Sequence, residues 1–307
     1  MLAEEDDRIW LGCGERTRLG LWSPVLDAYI VLLDEGVEIY ALPGAAASTG
    51  GWHHGPMAPI RRTVVRAAVG FGLEPERLRP LGGRSGSAWS DGDVVLRVGE
   101  RVAYEVLAVS AAAGHLPVPQ VLDRLELDGV CAILLERVPG RAAGEMALHN
   151  PARAAAAGRA CGELHEALAE VADPPGLRDA PGANCTERRL LHLDLHPFNV
   201  LVDDDGEPTG VIDWANAAAG DPELDRARTW SLLTLDPAAR ERNGDPGWAA
   251  LTDQWRQAGR LHVLSASARI WACRFMLADL AARHTAAELE HIRRAVRLAD
   301  ARSTDPH

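Results

Sequence analysis

Lysine is absent from the chain: all 32 basic residues are arginine. Where a site would use a lysine, this chain offers a guanidinium, which is planar, bidentate and bulkier than an ammonium. Cysteine is scarce. The five thiols, at 13, 131, 161, 185 and 273, are odd in number and form no Cys-x-x-Cys pair. That excludes a disulfide framework and a zinc ribbon and fits a reducing compartment. No apolar run reaches the length that spans a bilayer. The N-terminus, Met-Leu-Ala-Glu-Glu-Asp-Asp, is acidic where a secretory leader is basic, so a cytoplasmic location is expected. Positive charge is outnumbered by 44 acidic residues, leaving a net charge of −12. Such a balance argues against nucleic acid and membrane partners and favours solubility. It also tolerates a cationic small molecule.

What is present is ample apolar material. At 47% hydrophobic over 307 residues, the chain can build more than one core, and its length suggests two lobes. Residues 1–56 read as a β-rich extension and linker. In it, Tyr29–Leu33 and Val37–Leu42 flank a Gly-containing turn, and 43–56 are loop by composition. Pro59 opens a helical pattern that Gly70 and Gly72 stop. Residues 57–138 read as a strand-rich lobe: short strands around 78–81, 88–89, 94–98 and 130–135, and a helix over 102–114 that carries Glu105. Residues 139–307 read as a mostly helical lobe. Asn150 stands where a cap is wanted, and Ala157, Cys161, Leu164 and Leu168 share one face. Helices follow over 223–234, about 248–258 and about 261–283, and a last one starts from the capping box Thr285-x-x-Glu288. The class is α+β.

The segment that carries chemistry runs from Leu191 to Trp214. It contains His192-Leu-Asp194-Leu-His196-Pro-Phe-Asn199, a polar turn over Asp203–Glu207, and Val211-Ile-Asp213-Trp214. A hairpin centred near residue 206 puts Asn199 opposite Asp213 at one open end. A carboxamide oxygen and a carboxylate at that spacing suit Mg²⁺ that keeps places for phosphate oxygens and water. Asp194, entering the same end, suits a carboxylate that accepts a hydrogen bond from a substrate hydroxyl. Upstream, Gly82, Gly83, Arg84, Ser85, Gly86 and Ser87 form a Gly-rich run between strands, able to bring backbone N–H groups over phosphates, although it is no Walker A loop. Arg97 follows on a strand, and Glu105 lies eight residues on. Competing readings fall short. The His192-x-Asp194-x-His196 run lacks the second adjacent histidine of a metallohydrolase, and Asp203–Glu207 lacks the glutamate that an EF-hand needs at its twelfth position. Asp221, Glu223 and Asp225 are candidates either for a cationic acceptor or for bracing the helix that they open. Trp214, Trp230, Trp255 and Trp271 are core or acceptor-pocket residues.

Residues 78–285 resemble the aminoglycoside phosphotransferase family, small-molecule kinases of the protein-kinase-like fold. The resemblance rests on His192–Asn199 with Val211–Trp214. Leu134–Gly140, Leu164-His165 and Gly220-Asp-Pro-Glu-Leu-Asp225 support it. It implies a bilobal protein-kinase-like fold, ATP or GTP as phosphoryl donor, and a small-molecule hydroxyl as acceptor, with aminoglycosides and other cationic compounds among the candidates. It implies Asp194 as catalytic base and Asn199 and Asp213 as Mg²⁺ ligands. Arg97 takes the place of the usual phosphate-contacting lysine, paired with Glu105, and backbone near Glu136 and Val138 receives the purine. Two further readings keep the fold: a kinase of Ser or Thr hydroxyls in a biosynthetic peptide, and a nucleotide-binding protein without turnover.

Overall fold

The computed structural model describes residues 8–13, 16–23, 28–33, 36–41, 57–81, 88–127, 129–182, 188–282 and 284–303. The linker over 43–56 and the Gly82–Ser87 run lie outside them. The chain divides into two compact units. One comprises Met1–Ala103 with Val121–Arg137, the other Tyr104–Gln120 with Val138–His307.

The first unit opens with a four-stranded antiparallel meander, β1 (Arg8–Cys13), β2 (Arg16–Ser23), β3 (Ala28–Leu33) and β4 (Gly36–Ala41). The expected hairpin is there, with Leu33 paired to Gly36. Helix α1 (Met57–Gly70) follows. A five-stranded antiparallel sheet then comprises β5 (Arg79–Pro80), β6 (Ala88–Ser90), β7 (Val94–Gly99), β8 (Val121–Leu127) and β9 (Val130–Glu136), in the order β5-β6-β7-β9-β8. Val64, Ala67 and Ala68 of α1 bury their face against Leu96, Val98, Leu127 and Ala132 of this sheet. Strand β8 is the element that the sequence pattern conceals. It is an edge strand, and Leu122, Asp123, Arg124 and Glu126 are all exposed, so no apolar alternation marks it.

The second unit takes in most of α2 (Val102–Ala112), then β10 (Arg141–Ala142), α3 (Ala143–His149), α4 (Pro151–Ala169), β11 (Arg189–Leu191), β12 (Val200–Val202), β13 (Pro208–Val211) and β14 (Ala218–Gly220). Helices α5 (Pro222–Thr234), α6 (Pro237–Glu241), α7 (Pro246–Ala258), α8 (Ala266–Leu280) and α9 (Glu290–Ser303) complete it. Residues 104–120, expected in the strand-rich lobe, cluster instead with the helical unit. One reason is local: the Val211 N–H donates to the Pro117 carbonyl at 2.7 Å.

Helix α4 buries Ala157, Cys161, Leu164 and Leu168 as its periodicity predicts. Asn150 makes no side-chain cap; Pro151 at the first turn removes one of the donors a cap would serve. Acidic side chains cap α5, α6 and α7: Asp221 accepts from the Glu223 N–H, Asp236 from Ala238 and Asp245 from Trp248. Helix α8 starts five residues later than expected, because Ser265 caps it. Glu223 in turn accepts from the Ser265 N–H at 2.6 Å and its hydroxyl at 2.8 Å. The Thr285–Glu288 capping box forms as expected, one turn before α9.

Candidate active site

The β12–β13 hairpin positions the site. Asp203 Oδ1 accepts from the N–H groups of Asp205 and Glu207, and Gly206 turns with φ 93°, so the polar run over 203–207 closes the hairpin on itself. The register differs by one residue from the expected one. Val200 pairs with Val211 and Leu201 with Gly210, but Val202 pairs with Pro208, leaving Thr209 as the extra residue of a bulge. Asn199 consequently faces Ile212, whose N–H donates to the Asn199 carbonyl at 2.9 Å, and Asp213 lies one position beyond. Such a slip would send a strand residue to the other face. Asp213 escapes the alternation by leaving the strand in a left-handed conformation, φ 62° and ψ 62°, which aspartate tolerates better than most residues.

Three interactions knit this end together. The Asn199 carboxamide N–H donates to the Asp194 carbonyl at 2.9 Å, leaving its oxygen as the ligand-capable atom. The His192 ring bridges the two chains. Its Nε2 lies 3.1 Å from the Ile212 carbonyl and its Nδ1 3.2 Å from the Asp194 N–H, which assigns the hydrogen to Nε2. Complete burial holds the His192 imidazole below its usual pKa, with Asp225, Asp194 and the Ile212 carbonyl pulling the other way. His196 Nε2 lies 3.9 Å from Asp194 Oδ1, and both side chains keep about a quarter of their exposure, 25% and 23%.

The loop that carries Asp194 is strained and held from behind. Leu193 is left-handed, with φ 61°, a conformation that leucine adopts only where its surroundings impose it. The surroundings come from one face of α5. Asp225 Oδ1 accepts from the N–H groups of His192, at 2.8 Å, and Leu193, at 2.7 Å. Arg228 Nε donates to the Leu193 carbonyl and the Thr229 hydroxyl to the Leu195 carbonyl. All three side chains are buried. Behind Asp225 stands His165 of α4, with Nδ1 3.3 Å from Asp225 Oδ2, while the Trp255 indole N–H donates to its Nε2. Burial alone would raise the Asp225 carboxyl. The His165 contact and the bonds from the loop outweigh that and hold it below its ordinary value. Asp221, Glu223 and Asp225 are thus occupied in capping and bracing. Trp214 and Trp255 are core residues, fully buried.

A similar clamp holds the other loop: Arg178 donates from Nε to the Ala217 carbonyl and from Nη2 to the Ala215 carbonyl, with its guanidinium 5.4 Å from the centre of the Tyr104 ring. Arg178, Arg228 and Thr229 are residues that motif reading passes over, and His165 enters it only through the Leu164-His165 match, with no role assigned. For α5 a signal exists, since 225, 228 and 229 fall on one helical face and all are polar.

The remaining expected positions lie elsewhere. Arg97 is buried on β7, a central strand, opposite Ala88 and Ile133. Glu105 is buried on α2, in the second unit by contacts. Glu136 ends β9 and is exposed, and Val138 packs over Gly210 of β13. Among the described residues no group of three or more His, Cys, Asp or Glu could hold a metal. The donors at the hairpin end are one carboxamide and one carboxylate, a set too sparse for a structural zinc cage. It matches Mg²⁺, which keeps most of its shell for phosphate and water.

Residues 177–259 match the model of the phosphotransferase enzyme family. The matched stretch contains Asp194, Asn199, Asp213 and every α5 brace. Over 83 residues the chain is 32% identical to YcbJ, an uncharacterized protein of Bacillus subtilis (strain 168). That match takes in 27% of this chain and spans 21% of the length of YcbJ. Among solved structures, the chain is similar to an aminoglycoside-3'-phosphotransferase of type VIII, with 19% identity, 72% of this chain and 97% of that one covered, and a TM-score of 0.49. It is also similar to aminoglycoside phosphotransferase APH(3'')-Id from Streptomyces rimosus ATCC10970, solved with ADP and streptomycin (15%, 70% and 96%, 0.49). A choline/ethanolamine kinase family protein from Mesorhizobium loti gives 17%, 80% and 94%, and 0.48.

Proposed function

We propose that the protein transfers the γ-phosphoryl group of ATP or GTP to a hydroxyl of a small molecule. The observation that carries this reading is the knitting of one hairpin end. A buried imidazole and a carboxamide tie the backbone of Asp194 and the side chain of Asn199 to the residue preceding Asp213. The family match over 177–259 supports the reaction class.

In this reading Asn199 and Asp213 hold Mg²⁺, which when bound neutralises charge on the donor phosphates. Asp194, a quarter exposed, accepts the hydrogen bond of the acceptor hydroxyl and takes its proton as the new O–P bond forms and the bond from the γ-phosphorus to the β–γ bridging oxygen breaks, releasing ADP or GDP. Arg97, Glu105 and Gly82–Ser87 are the residues this reading assigns to the donor phosphates. The backbone near Glu136 and Val138 receives the purine. The protein supplies positioning and charge, and the braces on the Asp194 loop fit that demand. Acceptors are small molecules, cationic ones among them given the net charge of −12.

The test is a transfer screen with labelled ATP and GTP against amino sugars, nucleosides, choline-like amines and hydroxyl-bearing peptides, with and without Mg²⁺. The expected result is Mg²⁺-dependent label on at least one small molecule. Nucleotide binding without transfer to any acceptor would favour the silent binder, and label on peptides alone would favour the peptide kinase.

A further inference from the structure

We propose that Arg228 is a positioning residue for Asp194, locking the peptide group between Leu193 and Asp194 to helix α8. For its effect on turnover, the proposal rests on the phosphotransfer reading above.

Arg228 is 1% exposed. A guanidinium withdrawn from water is costly unless its donors are used; two of the three Arg228 nitrogens have partners, and Nη1 is buried without one. Here Nε donates to the Leu193 carbonyl at 3.2 Å and Nη2 to Asp279 Oδ2 at 2.9 Å, while the cation lies 4.8 Å from the centre of the Phe275 ring. Phe275 and Asp279 are one turn apart on α8, so the guanidinium is registered to that helix through Nη2 and its face, while Nε is left for the loop. The 193–194 peptide group is then gripped at both ends: its oxygen by Arg228, its N–H by His192 Nδ1. Asp225 holds only the two preceding N–H groups, and Thr229 only the Leu195 carbonyl. Rotation of the 193–194 peptide plane, which sets the direction in which the Asp194 side chain leaves the turn, is opposed at its carbonyl by Arg228 alone among these braces. The fork matters more than the charge. Lysine, a point donor, serves the carbonyl or Asp279 but does not span both in one plane.

The test compares Arg228→Lys, Arg228→Met and Asp279→Ala with the wild type, and with Arg269→Lys as control. Arg269 is another α8 arginine, but it holds the carbonyls of Leu261, His262 and Leu264, away from the loop. Asp279 is partly exposed, so its variant keeps a folded chain available if Arg228→Met does not fold. The first readout is amide hydrogen exchange, which needs no turnover. In the Arg228 variants, exchange in the peptide spanning 190–196 should quicken about tenfold or more, with the rest of α5 and α8 within about twofold. Asp279→Ala should fall between, and Arg269→Lys should leave that peptide unchanged. The second readout is kinetic: kcat should fall roughly 10–100-fold while the nucleotide KM stays within about twofold. Unchanged exchange at 190–196, or a uniform rise throughout α5 and α8, would overturn the proposal, as would an unaltered kcat. A wild type that transfers phosphate to no acceptor would sink the phosphotransfer reading, while the exchange result still decides the role of Arg228.

Discussion

Asp225 turns both carboxylate oxygens inward, one to two backbone N–H groups and the other toward His165. Removing it strands those donors in a buried site. Asp225→Ala should therefore cost about 3–5 kcal/mol of unfolding free energy, measured by urea denaturation. The pH dependence has a definite sign. The folded carboxyl titrates below its ordinary 3.8, so its contribution is complete above that value and is lost as pH falls through the lowered folded pKa. The gap between wild type and variant should close only under those acidic conditions. His192 acts in a higher window. Burial keeps it from taking the proton that the unfolded imidazole binds near 6.5, so stability is complete above 6.5 and declines as pH drops toward the lowered folded value. In His192→Gln that decline should be smaller, checked by urea midpoints at about pH 7.5 and 5.5. The spacing of Asp194, Asn199 and Asp213 stands out in the sequence. The sequence leaves open whether Asp225 braces or binds, because burial is decided by α4 and α8, far away in the chain.

At the scale of elements, α4 packs tightly on α7. A Cβ at Gly158 would sit 2.1 Å from the Leu251 carbonyl oxygen, and one at Gly162 would sit 2.7 Å from the Gly259 nitrogen. These two glycines, four apart, let α7 approach near enough for Trp255 to reach His165, and so support Asp225 indirectly. Gly158→Ala should force the helices apart at a cost of about 1–3 kcal/mol, seen as a lowered Tm. The hairpin shows how far pattern reading goes. Both strands and the turn over Asp203–Glu207 are legible from turn residues between apolar runs. The bulge at Thr209 is not, since it arises where the Thr209 hydroxyl donates to the Pro139 carbonyl, 70 residues away.

Across the whole molecule, the strand-rich first part and helix-rich second part are visible in the sequence. The crossing of 104–120 into the helical unit is not, because contacts such as Pro117 with Val211 join distant stretches. Among the described residues no helix is long and apolar enough to cross a membrane. With 44 acidic residues against 32 arginines, a net charge of −12, the chain as a whole repels a phosphate backbone. It should show no retardation of duplex DNA at about 0.15 M salt in a gel-shift titration. If the acceptor is cationic, its KM should rise with ionic strength. The central claim is that Asp194 handles the acceptor hydroxyl while other groups hold the nucleotide. The most direct measurement is kcat for label transfer by Asp194→Ala, alongside its nucleotide Kd. The account predicts a loss of at least about a hundredfold in kcat with Kd within about twofold of wild type; near-wild-type turnover would contradict it.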